Sequence, residues 1–510
     1  MKRPIHVLCI FAGFLMAFTL ASANNITVTN VSITGQNTGS HYSLIKFDIS
    51  WENSWRTSTG SSNWDAAWVF VKYRLNGGDG IWRQAWLDNS GNVPATGSTI
   101  AIGLLSPASA YNATTNPGLG AFIFRNADGT GTNTFANTQL KWNYGANGVA
   151  DGASIDIQVF AIEMVYVPQG SFFVGSSGTE TGSFTDGSWV AGATIPLSIS
   201  SENALTIGTA AGNLWGTSSA GSSTIGSAGT LDAAFPKGFN AFYCMKYEIT
   251  QQQYVDFLNN LEQVQATARK YNIPATPQRY DISGGAVGSY VTGNPYVAIN
   301  WLSWADLTAY LDWSGLRPMT ELEFEKACRG TLPPIANEYA WGTTDLANSV
   351  QTLGTPGAAT EIIATNYSVT LGNATYKASN TSILGPLRVG IFAGTPGNTG
   401  RVTAGASYYG IMELSGNVLE RSVSVGNATG RAFTGTHGDG AISGAGDADV
   451  ATWPGTNAIG ACFRGGSYGA TLTNTQMRIS DRQFGTLTEA SRDTFADGRG
   501  GRGVRSAPTP

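Results

Sequence analysis

The chain has 510 residues, 42% of them hydrophobic and only 12% charged, with a net charge of −5 and 65 glycines. Its length exceeds what one core usually serves, which implies two domains. The acidic balance and the lack of any basic block exclude a nucleic-acid-binding surface.

So little charge leaves solubility to Ser, Thr, Asn and Gly, a composition suited to strands, turns and irregular loops. The first segment, MKRPIHVLCIFAGFLMAFTLASANN, reads as a secretory signal. Lys2 and Arg3 precede a mostly apolar run from Ile5 to Leu20, and Ala21-Ser22-Ala23 gives a small-residue cleavage site before Asn24. The run is short for a membrane span, and Asn24 stands where a lipid anchor needs cysteine. Residues 1–23 are therefore expected to direct export, to the cell surface or beyond, with no membrane span elsewhere. Cys9 would leave with the signal, so the mature chain carries Cys244, Cys328 and Cys462, an odd number that permits at most one disulfide. Their apolar surroundings favour buried, inert thiols.

Residues 24–161 alternate as strands do, in NITVTNVSIT, SLIKFDISW, AAWVFVKYRL and ASIDIQVFAIEMVYV, between turns such as NGGDG and DNSGN. Regular strand signals without helical stretches predict an all-β sandwich. Trp51, Trp68, Trp82, Trp86 and Trp142 either fill its core or form a platform for a sugar, with the core reading favoured.

From residue 162 the texture changes. A Gly-punctuated strand end, VPQGSFFVGS, leads into a Gly/Ser/Thr-rich stretch over 176–234 that predicts an extended surface loop or insertion. Three capped helices follow. Thr250 with Gln253, Ser303 with Asp306, and Thr320 with Glu323 place capping residues three apart; Ile249 and Tyr254 form a staple, and Gly315 and Gly330 stop the later two helices. Residues 162–510 thus read as an α+β domain dominated by loops.

The segments VPQGSFFVGS, FNAFYCMKYEITQQQYVDFLN, YVAINWLSWADLTAYLDWSGLRPMTELEFEKACRG, EYAWGTT, GIMELSGNVLERS, FRGGSYG and GGRGVRSAP occur in that order. Together they resemble the formylglycine-generating enzyme (sulfatase-modifying factor) family over residues 162–510. The resemblance implies an elaborated C-type-lectin-like fold with little regular secondary structure. It also implies a calcium ion held by Glu413, the carbonyls of Gly416 and Val418, and Glu420. A tight turn that aims carbonyls inward while two carboxylates close the shell suits a hard cation. The residues alone, without the resemblance, favour a Gly-Asn turn with two solvated glutamates.

The family's oxidases use a thiol pair just after the GGS element to bind copper. Here Tyr468 to Asp481 contains no cysteine, Leu419 and Arg421 replace aromatics, and Ser506 stands where a partner for Cys328 is expected. This argues against copper. Only His41 and His437 remain in the mature chain, too few for a three-histidine iron site, and His437 has no evident orienting partner for a Ser-His-Asp set. Arg464, Arg478, Arg482, Arg499, Arg502 and Arg505, with Asp481, Asp493 and Asp497 interleaved, serve either as an anion clamp or as structural ion pairs. Asp439, Asp447 and Asp449 fit no EF-hand and predict a solvated loop, and the polar run Thr471 to Thr475 is where a displayed ligand would be met.

Whether the domain is an enzyme is left open. The reading favoured by the missing thiols is an exported, calcium-stabilised binding or structural module with a protein, peptide or glycan ligand. The alternative is a formylglycine-generating-type oxidoreductase acting on a secreted protein with rearranged residues, Cys462 among them. A third, acid-base catalysis by Glu413 and Glu420, conflicts with their use as calcium ligands.

Overall fold

The run AAWVFV explains how the molecule is layered. It lies in β3 (Asp65–Leu75), whose first nine residues are all buried, so both faces of the strand are covered. Ala67, Val69, Val71 and Tyr73 point into one apolar cluster, and Ala66, Trp68 and Phe70 into another. The first cluster lies between β3 and a sheet ordered β1 (Thr27–Asn37), β2 (Tyr42–Arg56), then a long strand Gly129–Trp142; Ile45, Phe47, Ile49, Trp51, Phe135, Leu140 and Trp142 are its other contributors. The second cluster joins β3 to the helices. A computed structural model provides these coordinates and describes residues 25–188, 194–218, 221–395, 397–398, 400–469, 472–492 and 498–508. The signal reading at 1–23, Asp493, Asp497 and Thr471 lie outside the described residues.

The large sheet runs in the order Arg317–Pro318, Gly503–Ser506, Phe242–Met245, Ile155–Val167, β3, Gly118–Arg125, Ser98–Leu104, all antiparallel, with Arg83–Gln84 paired to the side of β3. Strand Ile155–Val167 pairs with β3 from Leu75↔Ile155 to Asp65↔Val165, and its last residues also pair with Phe242–Met245. The boundary expected between residues 161 and 162 therefore falls inside one continuous strand, and the two sequence regions share a sheet. Trp68 locks the junction. Its indole N–H donates to Ser314 O at 2.8 Å, and its ring leaves no room for a Cβ at Gly103 or Gly120, which would come within 2.6 and 2.7 Å of it. Burying a side chain of that size stabilises by about 3 kcal/mol.

The three capped helices form as their boxes dictate: α1 (Gln251–Asn259), α3 (Trp304–Trp313) and α4 (Glu321–Arg329) each show the reciprocal cap from Thr250, Ser303 and Thr320. Gly330 has φ +68° at the end of α4. A further helix, α2 (Gln263–Arg269), was not expected because QVQATAR shows no apolar stripe; Glu262 and Gln265 form its box. The stretch over 176–234, expected as an extended surface loop or insertion, contributes described residues to the core. Its described part holds short strands, Leu197–Ile199 pairs with Phe172–Val174, and Phe184, Ile207, Leu214, Ile225 and Leu231 are buried in the second cluster. Small residues between scattered large apolar ones hid that core contribution. Among the described residues no helix is long and apolar enough to cross a membrane.

Candidate functional site

The turn Glu413–Val418 leads into strand Leu419–Val423, which pairs antiparallel with Ala461–Arg464 and parallel with Arg499–Gly500. Glu413, Gly416 and Asn417 have φ of +54°, +100° and +60°. Gly416 is required twice, by its φ and because a Cβ there would lie 2.6 Å from Thr375 O. The bend is tied down on every side. Gly416 N–H donates to Gly465 O (2.8 Å), Asn417 N–H to Thr375 O (2.9 Å), and Tyr468 N–H to Asn417 O (2.9 Å). Ser415 Oγ donates to Met477 O at 2.7 Å, and Asn417 Oδ1 accepts from Leu387 N–H at 2.8 Å.

Both glutamates point inward. Glu413 is 6% exposed and Glu420 fully buried, so the alternative of two solvated carboxylates is overturned. Glu413 Oε1 accepts from Gly390 N–H at 2.8 Å, Glu420 Oε1 accepts from Arg502 Nε at 2.5 Å, and the Oε2 atom of each is buried without a partner. A third carboxylate, not anticipated, joins them. Glu248, fully buried, accepts from Val418 N–H at 3.0 Å and from Asn417 Nδ2. The one acidic residue in the apolar stretch FYCMKYEI was its only sequence signal; its partners lie about 170 residues away.

Electrostatics follow from burial. Desolvation pushes Glu413 up to about 7 against the pull of Arg502, the Gly390 N–H and Arg388; it raises Glu420 against Arg502, and Glu248 well above the usual range. Arg502 is held further protonated by Glu420, with Cys244 and Glu248 adding. Three buried carboxylates thus share one guanidinium, and Arg388 is engaged with Glu361 as well. Such an excess of buried negative charge with two unpaired oxygens calls for protons or a hard cation. Among the described residues the acidic side chains whose oxygens converge within 4.8 Å are Asp312, Asp439 and Asp449; Glu413 and Glu420 instead stand at the two ends of the turn that carries Gly416 and Val418, oxygen donors of the kind a hard cation would take. In Gly416 and Val418, the backbone N–H is used within the protein.

The residues do not fit copper. Cys244, Cys328 and Cys462 are free and buried. Cys244 and Cys328 sit in an apolar cluster, and Cys462 Sγ faces Ser422 O at 3.5 Å. Burial pushes Cys244 up to about 12 and the other two well above the usual thiol range, which opposes the thiolate a copper(I) ion needs. His437 is buried, its Nε2 accepts from Ser506 N–H at 3.1 Å, and burial holds it neutral; His41 lies far along the chain, paired to Asp151 at 2.9 Å.

The C-terminal arginines are engaged within the fold, and two of the six meet glutamates of α4. Arg464 meets Glu321 (3.1 Å) and Glu325 (2.8 Å), and Arg482 meets Glu321 at 2.6 Å. Arg421, in place of an aromatic, lies over Phe463 at 4.6 Å and donates to Leu302 O, Glu489 O and Ser491 O. Arg505 lies over Trp68 and donates to Gly315 O and Leu104 O. Arg478 meets Asn337 and Arg499 meets Ser491. Asp439 and Asp449 are exposed as expected, yet their backbone N–H groups are gathered by buried Asp312, and Asp447 pairs with Arg269 at 3.0 Å. Of the tryptophans, Trp51, Trp68 and Trp142 fill cores, whereas Trp82 and Trp86 are half-buried at a cleft.

Residues 159–495 match the family model described as the sulfatase-modifying factor enzyme 1-like domain. Over 54 residues, 11% of the chain, the sequence is 46% identical to the formylglycine-generating enzyme of Streptomyces coelicolor, covering 17% of that protein. Over 68 residues, 13% of the chain, it is 38% identical to the formylglycine-generating enzyme of Thermomonospora curvata, covering 22% of it. The matches thus span about a fifth of the length of these curated relatives.

Proposed function

The chain belongs to the sulfatase-modifying factor enzyme 1-like family, and from that premise we propose that it is an exported, non-catalytic member in which a calcium-stabilised domain and an N-terminal β-sandwich form a binding or structural module. One observation carries this reading: every described cysteine is buried and held protonated, while the turn at 413–420 gathers oxygen donors and surplus negative charge. Calcium would be held by Glu413 and Glu420, with the carbonyls of Gly416 and Val418 completing the shell and Glu248 supplying charge from behind. Bound there, it would supply no redox chemistry; it would neutralise the carboxylates and pin the turn from which strand Leu419–Val423 departs.

Metal analysis of the purified mature chain, together with oxygen uptake on a cysteine-containing sulfatase-type peptide in the presence of copper, tests the proposal. Stoichiometric calcium and no copper-dependent uptake are expected; stoichiometric copper with uptake overturns it. The names of the two relatives favour a second reading, a formylglycine-generating-type oxidoreductase acting on a secreted protein. In that case Cys462→Ser abolishes the uptake, whereas the first reading has no uptake to abolish.

A further inference from the structure

Three neighbouring strands of the large sheet bring one amine and two acids together. Asp65 begins β3, Glu163 lies on strand Ile155–Val167, and Lys246 directly follows strand Phe242–Met245, which pairs with the far edge of Ile155–Val167. Lys246 N–H donates to Glu163 O at 2.9 Å, so the register carries past the end of that strand. Asp65 is opposite Val165 and Glu163 opposite Ala67, two positions along, which sets both carboxylates on one face of the sheet.

Lys246 Nζ lies 3.1 Å from Glu163 Oε2 and 3.3 Å from Asp65 Oδ2, and it also donates to Asn53 O at 3.3 Å. The side chains of Lys246, Asp65 and Glu163 are only 4%, 0% and 1% exposed. The Trp55 ring covers the amine, its centroid 5.0 Å from Nζ. One carboxylate is enough to balance one ammonium. Here two are buried with it, and burial raises Glu163 against the pull of Lys246.

The hold on Asp65 does more than orient an ion pair. Its Oδ1 accepts from Ser54 Oγ (2.6 Å) and Trp55 N–H (3.1 Å), and its Oδ2 from the Trp51 indole N–H (2.9 Å). Donors fixed on Oδ1 stand where negative charge develops if a nucleophile adds to Cγ. The nucleophile is already against Oδ2, one bond from that carbon, in a site closed to bulk water.

We propose that Lys246 and Asp65 condense into an intramolecular isopeptide bond, with Glu163 carrying the proton. Nζ gives one proton to Glu163 Oε2 and attacks Asp65 Cγ; the Nζ–Cγ bond forms and the carbonyl electron pair moves onto Oδ1. When Oδ1 restores the carbonyl, the Cγ–Oδ2 bond breaks. Oδ2 departs as water with two of the three ammonium protons, one of them returned by Glu163, and the third stays on the amide nitrogen. Nothing is oxidised or reduced, and no co-reactant is needed. One positive and one negative charge disappear from the interior, which removes their desolvation cost, and burial keeps water from reversing the step. The bond would join residues 181 positions apart, across strand Ile155–Val167, in a chain whose described cysteines are all free. It uses none of the residues assigned to calcium at the 413–420 turn.

Mass spectrometry of the folded full chain, purified, reduced and then denatured, reads the bond directly. The wild-type mass is expected to fall short of the sum of its residues by one water. Trypsin is expected to release a branched peptide joining the Asp65 segment to the Lys246 segment, with no cleavage after Lys246. Lys246→Met is expected to show the full mass, and Glu163→Gln to show it in most of the chain. Should either variant fail to fold, the branched wild-type peptide decides alone. Full wild-type mass with cleavage after Lys246 overturns the proposal. So does a water loss that persists in Lys246→Met, which would place it elsewhere, as in a succinimide at Asp439-Gly440. Complete bond formation in folded Glu163→Gln overturns the role given to Glu163.

Discussion

Arg502 Nε lies 2.5 Å from Glu420 Oε1, and both side chains are fully buried. This pair is a direct cationic contact to one of the three buried carboxylates, Glu248, Glu413 and Glu420, behind the 413–420 turn. Removing either partner strands a charge in the interior. Arg502→Leu is expected to destabilise the fold by about 3–5 kcal/mol, as for other broken buried pairs. Chemical denaturation in saturating calcium checks it; a loss under about 1 kcal/mol would mean that the carboxylates are already neutral.

Glu413→Gln separates the metal reading from general packing. A glutamine retains the oxygen that accepts from Gly390 N–H, so the variant is expected to fold. Wild-type protein should gain about 2.7 kcal/mol in calcium at a hundred times its dissociation constant, relative to chelator. In Glu413→Gln most of that gain should vanish, as read by thermal melts with calcium and with chelator. Equal gains in both proteins would remove Glu413 from the metal shell.

The buried thiols make a direct chemical prediction. Native mature protein is expected to leave Cys244, Cys328 and Cys462 unreactive toward a disulfide reagent, and denatured protein to titrate all three. Cys462→Ser should cost about 1–3 kcal/mol, because a more polar hydroxyl enters a buried position, with Ser422 O as an acceptor there. Rapid native reaction at Cys462 would revive the oxidoreductase reading.

Helix α4 shows what the sequence could and could not convey. Its cap was legible because Thr320 and Glu323 are three residues apart and the signal is local. The same holds for Thr250 and Ser303. What Glu321 and Glu325 do was hidden, since their partners Arg464 and Arg482 lie about 140–160 residues downstream. Glu248 escaped notice for the same reason. The sheet that continues through strand Ile155–Val167 was hidden because local alternation says where a strand is, not which strands pair with it. The turn of Glu413 to Glu420 was placed by resemblance, whereas its burial came only from long-range packing. Thr320→Ala is accordingly expected to cost about 1–2 kcal/mol, a cap's worth. Glu321→Gln should cost more, about 3–5 kcal/mol, because it weakens the partners of Arg464 and Arg482 together. Denaturation of both variants ranks the local signal against the distant one.

Asp312 gives a pH prediction whose sign can be worked through. On α3 its two oxygens accept from Asp439 N–H and Asp449 N–H, each at 3.0 Å, and burial with the nearby Asp439 raises it to about 8. An unfolded aspartate releases its proton near 3.9, so between about 4 and 8 the folded chain binds more protons than the unfolded one. Stability from this residue is therefore full at low pH and falls as pH rises through that window. Lys72, which burial lowers to about 7, acts with the opposite sign above that value, because the unfolded lysine keeps its proton to about 10.4. Between about 4 and 7 Lys72 does not contribute, and comparison with Asp312→Asn cancels the other raised carboxylates, Glu413 and Asp481 among them. Asp312→Asn keeps one acceptor and cannot ionise, so it should be less stable than wild type near pH 4, where a hydrogen bond is lost. The difference should then shrink, and reverse, as pH rises, by at most about 1.4 kcal/mol per pH unit. Melting both proteins across this range reads the slope directly. Parallel curves would show that Asp312 stays ionised in the fold, held so by Lys72 and the two loop N–H groups.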